Sequence, residues 1–327
     1  MNIFEQQTAN RRRTWLVMAA FIGVLAILGA GFDFFVLGQG EFYAPMATVL
    51  AVAIGSGQAW WSLHNGDRAV LRSSSAIPLE DQLGQATSDD ERLRYRQFEN
   101  VVEEMAIAAG VPKPRAYVIA DDDPNAFATG RDPEHASIAV TEGLLRSLNR
   151  EELQGVVGHE MGHVRNLDIR LMTVVAALMG AILLLADWSG RAMRWGAASS
   201  RSSRGSKDRG GGGLGVIFLV IWILAIILAP LVGRLLATAV SRRREYLADA
   251  TGAELTRHPL ALANALEKIE GAAGPTPSVK RGTAHMCIAD PLGLQIDNRE
   301  GTWANLWATH PPMSKRIAAL KAMAYQA

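Results

Sequence analysis

The chain has 327 residues, 49% of them hydrophobic and 20% charged, with a formal net charge of +1. A balance so near neutrality argues against nucleic acid as a partner, and a mean hydropathy of +0.09 is too apolar for an ordinary soluble enzyme, so the surplus should be concentrated in particular segments. The single cysteine, Cys287, excludes an internal disulfide and reads as a small buried residue in a reducing compartment rather than a nucleophile.

In chain order, residues 1–14 form a polar N-terminus that ends on Arg11, Arg12 and Arg13. Two apolar runs follow, Trp15 to Leu37 and Tyr43 to Leu63, each of the length that crosses a bilayer as a helix, although Asp33 stands near the far end of the first. The short link 38–42 makes residues 15–63 a helical hairpin. The first run is too long for a secretory signal peptide and the second follows at once, so no cleavage is expected. Arginines precede the first run, Arg68 and Arg72 follow the second, and the link has no positive residue, which places the N-terminus and the following domain on the cytoplasmic side.

Residues 64–170 should form the first part of the folded domain. Ser88 and Glu91 make a capping box for a helix carrying Leu93, Phe98, Val101, Val102 and Met105, which Gly110 and Pro112 end. Apolar runs at Ala116 to Ala120, Ala126 to Thr129 and Ser137 to Val140 read as strands of a small sheet. Next, Asn149 and Glu152 form a second capping box, and Leu153, Val156 and Val157 give the helix it opens a buried stripe.

That helix carries His159-Glu160-Met161-Gly162-His163. Residues i and i+4 share one helical face, so both imidazoles can reach one metal while Glu160 stands beside it, free to activate water. The bland alternative is a chance pair of helix histidines satisfied by water or backbone. With seven histidines and one cysteine in the chain, a third ligand has to come from a carboxylate or a distant histidine. Glu245 and Asp249, again at i and i+4, offer a ligand and a carboxylate to brace a ligating histidine. Their competing reading is a surface helix whose acids pair with Arg242, Arg243 and Arg244.

Between the two motifs lie apolar stretches at Leu171 to Ala186 and Gly210 to Gly233. If Glu245 is a ligand, this second hairpin, residues 171–233, crosses a membrane twice or not at all. Its connecting loop, 188–213, is rich in Ser, Gly and Arg and reads as flexible linker, and its charge opposes the usual cytoplasmic bias of basic loops. Residues 234–327 complete the domain, with helices at Leu260 to Ile269 and Ser314 to Met323.

The histidine motif with Asn166, then Glu245-Tyr246-Leu247-Ala248-Asp249, then Asn125-Ala126-Phe127-Ala128-Thr129-Gly130, and His310-Pro311-Pro312 with Arg316-Ile317 resemble the HtpX-type membrane zinc metallopeptidases, relatives of the CAAX prenyl endopeptidases. The resemblance covers most of the chain. It implies an α+β, mainly α, integral membrane protein with a zincin-like domain and about four transmembrane helices. The implied location is the bacterial cytoplasmic (inner) membrane, multi-pass, with the active site facing the cytoplasm and the lipid bilayer as a partner. It further implies one zinc ion per chain held by His159, His163 and Glu245, with Glu160 as general base and acid and Asp249 orienting a zinc-binding histidine, His159 by analogy.

The implied function is a membrane-bound endopeptidase that degrades misfolded or damaged membrane proteins. The alternatives are a prenyl-protein processing enzyme, which would be built with more spans, and a non-catalytic zinc-binding scaffold, which has no use for Glu160. Three protein ligands leave a fourth position for water, whose pKa zinc can lower to about 7. Glu160 would take its proton and pass it to the leaving amine. His310 is the chosen oxyanion donor, with a buried structural histidine as the alternative. Asn125, Ala126 and Phe127 would lie on an edge strand that pairs with substrate backbone, unless that strand is simply packed. Asn166 would cap or brace the end of the catalytic helix, and His64, His135, His258 and His285 read as surface or packing residues.

Overall fold

A computed structural model describes residues 3–33, 45–182, 242–272, 276, 278–279, 283–289 and 311–325. The chain opens with two long helices, α1 (Ile3–Phe32) and α2 (Met46–Ser73), packed against each other. Asp33 joins them by accepting hydrogen bonds from the Ala47 and Thr48 backbone N–H groups at the first turn of α2. That is the favoured place for a carboxylate, because those N–H groups have no partner within the helix.

The folded domain continues with β1 (Ile77–Pro78), α3 (Leu79–Gln85), α4 (Asp89–Ala109), β2 (Arg115–Ile119), β3 (Ala126–Thr129), β4 (Ser137–Thr141) and α5 (Glu142–Ser147). The zinc-motif helix α6 (Arg150–Arg165) follows, then α7 over 168–182, α8 (Arg242–Thr256), α9 (Pro259–Gly271) and α10 (Met313–Ala324). Ser88 caps α4 by accepting from the Glu91 N–H, and Gly110 ends it in the left-handed conformation, φ 66°, that glycine adopts without a Cβ penalty. Both halves of the Asn149/Glu152 capping box are formed, each at 2.9 Å.

The four strands make one sheet in the order β1-β2-β4-β3, with β2 and β4 parallel and the outer pairs antiparallel. The short outer strand β1, which contains Pro78, has too little pattern to be read from sequence. One face of the sheet joins Val118, Ala128, Ile138 and Val140 to Phe98, Val101 and Val102 of α4, Val156, Val157 and Met161 of α6, and Leu262 and Leu266 of α9. Each such fully buried side chain contributes about 1.5–3 kcal/mol. The other face packs Ile119, Phe127 and Ala139 with Met172 and Ala176 of α7 and with Cys287, a buried thiol.

The transmembrane expectation is corrected here: among the described residues no helix is long and apolar enough to cross a membrane. The apolar part of α1 starts only at Trp15, after three polar turns. The run in α2 is interrupted by Gly55-Ser56-Gly57-Gln58 and passes into His64-Asn65-Gly66-Asp67-Arg68. Met18, Ala59 and Leu63 are instead buried against Val174 and Leu178 of α7, while Trp15, Leu16, Leu50, Ile54 and Trp60 remain exposed. The integral membrane fold of about four transmembrane helices, the lipid bilayer as partner, the multi-pass inner-membrane location and the membrane-bound form of the function are therefore withdrawn. Residues 183–241, with the 188–213 loop and the 210–233 run, lie outside the described residues.

Helices α6 and α8 cross at van der Waals distance because small residues face each other. A Cβ on Gly162 would stand 3.1 Å from the Ala248 Cα, and one on Gly252 would stand 2.8 Å from the His159 N. Gly252→Ala should therefore cost about 1–3 kcal/mol by overpacking. Gly57→Ala on α2, where a Cβ meets nothing within 4 Å, should be neutral or stabilising. Thermal unfolding of both variants checks the contrast; equal stability would show that the two helices separate at no cost.

Candidate metal centre

The helical period of α6 puts His159 and His163 side by side, with ring centroids 4.8 Å apart and planes at 90°. Across the close crossing, α8 presents Glu245 to both. Its Oε2 lies 3.8 Å from the His159 Nε2 and its Oε1 lies 3.7 Å from the His163 Nε2. All three side chains are buried, and one ligand atom from each falls within 4.8 Å of the others. Tetrahedral zinc holds N and O ligands at about 2.0–2.2 Å, so its ligand atoms stand roughly 3.3–3.6 Å apart. The triad is slightly wider than that, and two imidazoles with one carboxylate are a donor set zinc favours. The triad makes one zinc site.

Both histidines are held from behind. Asp249 Oδ1 lies 2.9 Å from the His159 Nδ1, and Asp168 Oδ2 lies 3.1 Å from the His163 Nδ1. A proton kept on each Nδ1 leaves each Nε2 lone pair facing Glu245, which is what a metal requires. Asp249 is in turn gripped by the buried Arg316 of α10, whose Nε donates to Oδ2 at 2.8 Å and whose Nη2 donates to Oδ1 at 2.7 Å. Arg316 Nη1 also donates to the Ile288 carbonyl at 3.0 Å. Burial alone would raise the Asp249 carboxyl, but the Arg316 charge and hydrogen bonds outweigh it and hold the group down at about 2.

Glu160 is buried beside the triad, and its Oε2 has no hydrogen-bond partner. Burial pushes its carboxyl up from the ordinary range, opposed in part by the neighbouring imidazoles. An orphaned buried carboxylate oxygen costs stability unless something else is meant to meet it, so it fits a site that takes an ion and a water.

A model described as peptidase family M48 matches residues 92–324. The protease HtpX homolog of Caldanaerobacter subterraneus subsp. tengcongensis is 42% identical over 323 residues, covering 98% of each chain. The chain belongs to peptidase family M48. A second protease HtpX homolog, from Thermoanaerobacter pseudethanolicus, is 41% identical over 321 residues, again covering 98% of each chain. The crystal structure of Ste24p from S. mikatae superposes with a TM-score of 0.47 at 17% identity, covering 97% of this chain and 67% of that one. With its buried His-His-Glu triad, this M48 member is a zinc metalloendopeptidase.

The other residues singled out in the sequence fall in varied places. Asn166 is the C-cap of α6, its N–H bonded to the Gly162 carbonyl. The Asn125 side chain donates to Thr276 Oγ1 and the Ala289 carbonyl, the Ala126 carbonyl accepts from the Ile288 N–H, and the Phe127 side chain is buried in the core. β3 is an edge strand, but these three residues already have partners. His310 lies outside the described residues. His64, His135 and His258 are not buried, and the buried His285 contacts the Met172 carbonyl. Arg244 is buried with its Nη1 3.6 Å from Asp168, so α8 is no surface helix of exposed ion pairs.

Two residues of the M48 site escaped sequence reasoning, Asp168 and the role of Arg316. Asp168 stands five positions after His163, where a helix ending in a histidine can meet the chain that turns back past its cap. Arg316 shares a helical face with Leu320, an i, i+4 signal of a buried arginine. Because the Asp249 carboxyl lies below its unfolded value of 3.8, it adds stability above that pH, which is lost as pH falls towards 2. Arg316→Met should cost about 3–5 kcal/mol by leaving a buried carboxylate uncompensated. It should also move acid unfolding to higher pH, and an unchanged acid midpoint in circular dichroism would show that the pair contributes nothing.

Proposed function

We propose that this chain hydrolyses peptide bonds in extended polypeptide segments, with His159, His163 and Glu245 as zinc ligands, Glu160 as the proton carrier and Asp249 orienting His159. The observation that carries the reading is Glu160, a buried carboxylate with an unpartnered oxygen beside two imidazoles that converge on a third carboxylate. Zinc bound there supplies Lewis acidity for a peptide carbonyl and acidifies a water. Glu160 takes the proton of that water, and its upward-shifted carboxyl then returns the proton to the departing amine nitrogen. A purely structural metal fold gains nothing from such a group and bears its desolvation.

The outer edge of β3 is the strand edge that an extended substrate would meet, and it is covered by other parts of the chain. In an antiparallel pair, successive residues turn their N–H and C=O groups alternately toward and away from the partner strand. Because the Asn125 carbonyl accepts from the Thr141 N–H, the backbone groups of Ala126 and Ala128 face outward. Ala126 bonds to Ile288 and Ala128 is itself buried, so a substrate strand would have to displace the segment at Ile288 to pair there.

Glu160→Gln should keep bound zinc and lose peptide hydrolysis by at least about 100-fold, since the amide keeps the shape but not the proton acceptance. Metal analysis with cleavage of an unfolded protein substrate is the measurement, and zinc-dependent cleavage near the wild-type rate would exclude Glu160 as the base. Chelation should abolish wild-type cleavage and added zinc should restore it.

A further inference from the structure

The first helix reaches the metal centre. Both amide protons of Asn10, in α1, are used on one turn of chain. Its Nδ2 donates to the Asn166 carbonyl at 2.9 Å and to Asp168 Oδ1 at 2.6 Å. The other oxygen of Asp168 is the one that faces the His163 Nδ1, at 3.1 Å. Asn10, Asn166, Asp168 and His163 are all buried, so bulk water does not stand in for any of these contacts.

The residue between the two acceptors is Leu167, which has φ 58°. A branched non-glycine side chain is uncommon in this left-handed conformation, because its Cβ crowds the following carbonyl. Such a conformation persists only where its surroundings hold it. Asn10 bonds to the residues on either side of it and so staples the turn that delivers Asp168 to His163. Arg244 pairs with the same carboxylate oxygen at the longer distance of 3.6 Å, so the short hydrogen bond that orients Asp168 from this side comes from Asn10.

We propose that Asn10 is a positioning residue for the metal centre, acting through Asp168 to fix the ring of His163, so that the N-terminal helix is part of the catalytic apparatus. The inference rests on the reading of His163 as a zinc ligand. It also separates Asn10 from Gln7, one turn earlier, which docks α1 on the same helix end by donating to the Arg165 carbonyl at 2.7 Å without touching Asp168.

The test is zinc affinity of the full chain, read by competition with a chromophoric chelator, in Asn10→Ala, Gln7→Ala, Asp168→Asn and the Asn10→Ala/Asp168→Asn double variant. Removing the carboxylate behind a metal-binding imidazole costs about 10-fold to 100-fold in affinity, and Asn10→Ala, one bond further back, should cost about 3-fold to 10-fold. Gln7→Ala should stay within about 2-fold of wild type, and Asn10→Ala should add almost nothing once Asp168 is Asn, since residues acting through one path are not additive. Unchanged affinity in Asn10→Ala, an equal loss in Gln7→Ala, or full additivity in the double variant would each overturn the proposal. Should Asn10→Ala not fold, Asn10→Ser is read in the same way, and failure of both to fold while Gln7→Ala folds would assign Asn10 to the fold alone. A wild-type chain without zinc, or a His163→Ala chain with undiminished affinity, would instead defeat the ligand assignment.

Discussion

Everything catalytic in this protein depends on two helices, far apart in sequence, approaching until backbone meets backbone. Packed helices usually stand 8–10 Å apart at a distance set by the side chains between them. Between α6 and α8 the closest approach is made at Gly158, Gly162, Ala248 and Gly252, with Thr251 and Thr256 packed beside them. Glu245 is short relative to the distance a wider crossing would leave, so the crossing sets whether three ligand atoms converge. Leu262 of α9 closes against Gly155 in the same manner, which extends the contact along the catalytic helix.

The crossing creates an electrostatic problem that the remaining helices resolve. Glu160, Glu245, Asp168 and Asp249 are all buried within a small volume. Isolated buried carboxylates would protonate or force the core open. Arg316 is placed against Asp249, 3.7 Å from Glu245, and Arg244 against Asp168. The result is near-symmetric: each imidazole has a carboxylate behind it and the shared Glu245 in front. Rings held this way need little reordering when a metal binds, and that lowers the entropic cost of binding.

Local signals carried much of the site. The capping box, the two i, i+4 pairs and the glycine stop were visible in the sequence because each is a short-range pattern with a geometric meaning. Three of the four strands were legible to within a residue at each end, and the two-residue β1 was not. What could not be read is what depends on chain reversal and long-range docking. Asp168 acquires its role through a left-handed Leu167, and Asn10 through packing of a helix more than a hundred residues earlier. The apolar runs misled for a related reason. Hydropathy reports how much apolar surface exists, not what covers it, and part of that in α1 and α2 is covered by the other helix and by α7.

The bracing arginine follows both ligand-bearing helices in the chain, with a consequence for the order in which the site comes into being. Domains fold as the chain emerges at about 5–20 residues per second, N-terminal parts first. The helix with the histidines and the one with Glu245 are both made before α10. Until Arg316 arrives, Asp249 has no cation with which to enter the core, so a nascent chain cannot complete a dry, correctly oriented site. Completion of the site is thereby deferred until α10 has been made, later than all three ligands.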